Sequence, residues 1–145
     1  MQIIRNTEGE SLKVLGDRVI IKLRAAESPY AMSVVHVEVP PGSGTPCVTH
    51  AREEEIYFVV EGELLMHAPG IKQVLKAGDL VHVPPKTPHG YRNATDKPVK
   101  FLAWAVGGQI DGFFRDMAEC VHALPQDLAA MQSVMMRYGV ERAQA

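Results

Sequence analysis

Gly42-Ser-Gly-Thr-Pro-Cys-Val48-Thr-His50-Ala-Arg-Glu-Glu-Glu55-Ile-Tyr-Phe-Val-Val-Glu-Gly62 decides how the rest of the chain is read. Ile56 to Val60 is a compact run of β-branched and aromatic residues closed by Glu61-Gly62, the composition of a short strand ending in a turn. Residues two apart on a strand face the same side, so Val48 and His50 share a face, and Tyr57 shares one with Glu55. Parity alone does not separate Glu55 from Glu53. Glu53 and Glu54 read as a solvated acidic run.

Working outward, the same grammar repeats. Val34 to Val39 places Val35, Val37 and Val39 on one face and His36 and Glu38 on the other. Leu64 to Ala68, Leu80 to Val83 and Phe101 to Val106 are further strand candidates. Pro40-Pro41-Gly42-Ser43-Gly44, Pro69-Gly70, Ala77-Gly78-Asp79, Pro84-Pro85 and the segment from Asn93 to Pro98 punctuate them. Short strands between Gly/Pro turns, over about residues 14–106, predict an all-β sandwich or barrel rather than βαβ units. A double-sheet jelly roll also hides most strand edges.

Beyond Gly107-Gly108 the period lengthens. Phe113, Phe114, Met117, Cys120, Val121 and Leu124 recur at three- and four-residue steps, as one face of a helix does. Pro125 stops that helix. A second is expected from Gln126 or Asp127 to Tyr138, with Arg137 in its last turn and Gly139 just past its end. The helices, about 109–139, are too short to fold alone and should pack on the barrel, which makes residues 1–145 one domain.

The 145 residues carry 15 Lys and Arg against 17 Asp and Glu, a formal charge of −2, which offers no electrostatic footprint for nucleic acid or an anionic membrane. Cys47 and Cys120, the two cysteines, read as free thiols of a reducing compartment. No stretch approaches the roughly 18 apolar residues of a membrane span, and residues 1–8 lack the apolar core of a secretory signal. A cytoplasmic protein is the expectation.

The second informative segment runs Gly78, Pro84, Lys86, His89, Asn93. Together with Gly42, Val48, His50, Glu55 and Gly62 it resembles the paired motifs of the cupins, G-x5-H-x-H-x4-E-x6-G and G-x5-P-x-G-x2-H-x3-N. Among cupins the chain is most similar to small bacterial proteins grouped with quercetin 2,3-dioxygenase. The resemblance implies a cupin jelly roll with C-terminal helices and a mononuclear metal site on His50, Glu55 and His89. Imidazole and carboxylate donors suit one divalent Fe, Mn, Ni, Cu or Zn ion. It further implies a metal-dependent dioxygenase-like oxidoreductase acting on a small aromatic or enolisable molecule, with Glu55 doubling as a proton acceptor. Alternatives are a non-catalytic ligand- or metal-binding module, and an isomerase or epimerase.

Two positions depart from the motifs. Val48 stands where a first His belongs, leaving three ligands of four; the site is then either open on one side or without a metal. Lys86 replaces a Gly, so a positive φ there would be strained, and the loop is expected to adapt. Candidate pocket residues are Val48, Tyr57, His36, His82 and Met66, with either of these histidines a candidate for the vacant ligand position. Phe113, Phe114 and Met117 read as packing between helix and barrel, with a lid over the site as the alternative. Cys47 should face away from the cavity, His67 and His122 should lie outside, and Leu65 and Phe58 are candidates for a homodimer interface.

Overall fold

The computed structural model describes residues 1–144, and the strand-rich region begins earlier than expected, with β1 (Glu10–Val14). It continues through β2 (Asp17–Leu23), a 3-10 turn at Ala25–Glu27, β3 (Met32–Val39), β4 (Val48–His50), β5 (Glu54–Glu61) and β6 (Glu63–Ala68). After these come β7 (Ile71–Lys76), β8 (Leu80–Val83), β9 (Gly90–Arg92) and β10 (Val99–Val106), then α1 (Ile110–Cys120), α2 (Leu128–Arg137) and β11 (Val140–Arg142). Every strand pair is antiparallel. One ladder runs β1-β2-β3-β10-β5-β8, a second β7-β6-β9, and β4 pairs with β11. Single bridges, Gly44 to Arg92 and Val48 to His89, join the β4 segment to the β9 region. The jelly roll is thus built of facing ladders that do not close into one ring.

Alternation explains the core. Along β3, Ser33, Val35, Val37 and Val39 are buried while Val34, His36 and Glu38 are not. Val19, Val37, Phe101 and Val59 lie side by side on neighbouring strands, and they meet Leu64, Met66 and Tyr91 of the second ladder in one hydrophobic cluster. Burying such side chains stabilises by about 1.5–3 kcal/mol each, so a one-residue slip of β3 or β5 would be heavily opposed. The opposite parity forms an outward row, Ile20, His36, Leu102, Phe58 and Leu80. Leu65, between buried Leu64 and Met66, also points away from the core.

Both helices form close to the expected bounds. Met117 and Val121 of the first meet Met131, Val134 and Met135 of the second in a separate cluster that reaches Val48 and Val140. Gly139, at φ +68°, supplies the left-handed residue that ends α2. The chain then turns back as β11, whose Val140 sits opposite His50 and Arg142 opposite Val48. Three residues carry too little pattern for that strand to have been read from the sequence.

The loop at Lys86 does not adapt as expected. Lys86 itself takes the left-handed conformation, φ +64°, and its N–H donates to the His50 carbonyl at 2.8 Å. The glycine-type turn survives with a side chain on it, at a cost of about 1–2 kcal/mol. It ties the loop that precedes His89 to the strand that carries His50.

Candidate metal centre

Three elements converge. His50 is the last residue of β4, Glu55 lies on β5 opposite Ala105 and Val83, and His89 directly precedes β9. The Val48 and His89 backbones exchange hydrogen bonds of 2.8 and 2.9 Å, so β4 carries His50 beside His89. One nitrogen of each imidazole and one Glu55 oxygen all lie within 4.8 Å of one another, and all three residues are buried. His89 Nε2 is 3.0 Å from Glu55 Oε2, and His50 Nε2 is 4.0 Å from Glu55 Oε1.

His89 is held at both nitrogens. Nδ1 lies 2.9 Å from the Thr87 carbonyl, an acceptor, so Nδ1 carries a proton and donates it there. In the neutral ring Nε2 then presents a lone pair, which the Tyr57 hydroxyl meets at 3.1 Å. Burial opposes a charge on His89, but the Glu55 carboxylate and the Thr87 carbonyl outweigh it and raise its pKa. Burial, and then the Glu55 charge, push the Tyr57 hydroxyl well above its ordinary pKa, so it remains a donor.

The donor set fits a cation. A lone pair on His89 Nε2 faces a carboxylate oxygen across 3.0 Å, and Glu55 Oε2 has no aligned hydrogen-bond partner. Two acceptors at that distance repel unless a proton or metal ion stands between them, and buried unpaired carboxylates are costly. Two imidazoles and one carboxylate suit the metals named above. Val48 lies directly across from His89 and brings no donor to the position where the motif has a histidine.

The donors line a cavity of about 280 Å³. Val48 and Tyr57 line it as expected. The helices supply most of its remaining wall through Phe113, Phe114, Met117, Met131 and Met135. Phe113 meets the His50 ring edge-on at 6.1 Å. The three α1 residues expected only to pack therefore also face the cavity. A second polar group shares this space. Asp17, buried, accepts hydrogen bonds from Ser43 and from Tyr91 (2.6 Å), and burial raises its pKa despite both bonds.

Three of the candidate pocket residues are not among those lining the cavity. His36 lies on the outward row of the six-stranded ladder, where burial among its neighbours lowers its pKa. His82 is exposed and pairs with Glu54 at 2.6 Å. Met66 faces inward but is packed into the core between the ladders. None of them can fill the position left by Val48. Cys47 is buried away from the cavity, as expected, and His122 is exposed; His67 is half-buried, 3.2 Å from the Thr45 carbonyl.

Glu53 is the clearest correction. Expected in solvent, it is 2 % exposed, with Oε2 3.6 Å from His50 Nδ1. Its parity matches Glu55, which was visible in the sequence; its depth was not. Asp17 had no motif to mark it.

Comparisons with known proteins bear on this geometry. A family model described as "Cupin domain" matches residues 35–105, the span that holds all three donors. An uncharacterized protein of Methanocaldococcus jannaschii is 41% identical over 70 residues, which is 48% of this chain and 56% of that protein. Quercetin 2,3-dioxygenase of Bacillus subtilis is 28% identical over 120 residues, 81% of this chain and 34% of that enzyme. The chain thus spans between about a third and just over half of these relatives' lengths. The structure of KdgF from a Halomonas species superposes with a TM-score of 0.67 at 22% identity, over 77% of this chain and 99% of that one, a likeness of fold.

Proposed function

Because the chain belongs to the cupin superfamily, we propose that it is a metal-dependent, dioxygenase-like enzyme acting on a small aromatic or enolisable molecule. One observation carries the reading: a compact His-Glu-His donor set lines a largely apolar cavity walled by aromatic and methionine side chains. His50, Glu55 and His89 hold one divalent transition metal, which when bound polarises substrate oxygens and orients dioxygen.

The chain's own groups do the rest. The Tyr57 hydroxyl occupies the His89 Nε2 lone pair that a cation would take, so metal loading frees it to donate to a substrate oxygen. Glu55, buried and with Oε2 unpartnered, accepts the proton of an enol or phenol hydroxyl. Phe113 and Phe114 stack against a flat substrate and exclude water. The likeness to a quercetin dioxygenase supports this choice of substrate class.

Val48 favours a second reading, a ligand-binding module without turnover, since an apolar group faces the cavity in place of a donor. One experiment separates them. Protein supplied with Fe, Mn, Ni, Cu or Zn is assayed for bound metal by elemental analysis and for dioxygen uptake with flavonol and simple enol substrates. We expect one metal per chain and substrate-dependent uptake. Thermal stabilisation by those compounds with no dioxygen or substrate consumed would replace the enzyme with the module.

A further inference from the structure

We infer that Glu53 is a positioning residue of the metal centre: its carboxylate receives the Nδ1–H of His50 and holds that ring with Nε2 turned toward Glu55 and His89. The inference rests on the metal-site reading above. A histidine that coordinates through one nitrogen carries its proton on the other, and the group receiving that proton fixes the ring's tautomer and rotation. For His89 the receiver is the Thr87 carbonyl. Nothing comparable is in place for His50 except Glu53. His50 Nδ1 and Glu53 Oε2 are both buried, both without a hydrogen-bond partner, and 3.6 Å apart.

The surroundings are shaped around this carboxylate. Gly108 lies against it so closely that a Cβ there would overlap the Glu53 carboxyl group. Gly108 immediately precedes Gln109, the N-cap of α1, where exposed backbone N–H groups favour an anion. Sequence places Glu53 two residues before Glu55 and three after His50, so one short segment brings the receiver to the ring. An isolated buried carboxylate is a liability to the fold; beside a coordinating imidazole it acquires a purpose.

The test uses the whole chain and Co²⁺ alone, read by visible absorption and by competition with a chelator. Glu53→Leu removes the acceptor; Glu53→Gln keeps an acceptor oxygen of the same reach. We expect Glu53→Leu to weaken Co²⁺ binding about 10–100-fold, with Glu53→Gln in between. Metal-free Glu53→Leu should be at least as resistant to thermal unfolding as the wild type, because it loses an unpaired charge. A purely structural Glu53 would give the reverse, lower metal-free stability and unchanged Co²⁺ affinity, and would overturn the inference. A wild type that binds no Co²⁺, or binds it equally after His50→Ala, would overturn the metal-site reading and this inference with it. Should the variants fail to fold, nitrogen-15 spectra of the Zn²⁺-loaded wild type decide: a proton on His50 Nδ1 is required, and one on Nε2 refutes the assignment.

Discussion

On one side of the cavity stand His50, Glu55, Tyr57 and His89, carried by strands or fixed by backbone hydrogen bonds; on the other stand Phe113, Phe114, Met117, Met131 and Met135, carried by two helices. The strand wall is polar and held in register, its donors spaced by the ladder pairings of β4, β5 and β9. The helix wall is apolar, and its methionines have three rotatable bonds and no directional partner. Metal coordination tolerates errors of a few tenths of an ångström and needs the first kind of support. Accommodating a ligand's shape needs the second. The molecule places chemistry on its stiffest element and adaptability on its peripheral one.

That division can be broken deliberately. The largest effect belongs to the strand wall: His89→Ala removes one of three donors, so metal affinity should fall by at least about 100-fold, roughly 2.7 kcal/mol. Equilibrium dialysis reads this loss, and an unchanged affinity would place the metal elsewhere. Phe113→Ala acts on the helix wall. Truncating a fully buried Phe costs about 3–5 kcal/mol, and since Phe113 is only half-buried about 2 kcal/mol is expected. Urea unfolding should register this while metal stoichiometry stays at that of the wild type. If the metal were lost as well, the two walls would not be independent. Val48→His should sharpen the contrast by restoring a fourth donor opposite His89. We expect metal binding about tenfold tighter, or 1.4 kcal/mol, by chelator competition. Weaker binding would mean that the Val48 position does not face the ion.

Much of this was legible before any coordinates. Val35, Val37 and Val39 alternate because one face of β3 is buried, and the same alternation put His36 outside once the valines were placed inside. His50, Glu55 and His89 could be named because a metal site constrains residue type and spacing together. Glu53 escaped because parity gives the face of a strand and not how deeply a position lies along it. Met66 misled for a related reason: its side chain points inward, but β6 crosses the packed part of the interior, away from the cavity. At Lys86 the steric rule was sound, yet a hydrogen bond to His50 and the requirements of the His89 loop prevail over local strain. β4, β9 and β11, three residues each, hold too few side chains to show a period, and they carry or flank the site.

The pairing of β11 with β4 has a further consequence, for self-association. A strand with unsatisfied backbone groups is a template for strand addition by a second molecule, and β4 would be one, beside His50. β11 covers it, and the covering strand is only three residues long, with exposed Glu141 and Arg142. Intermolecular sheet growth would therefore have to start from β1, β7 or β8, on the ladder margins, and the strand that carries His50 is spared from becoming a seed.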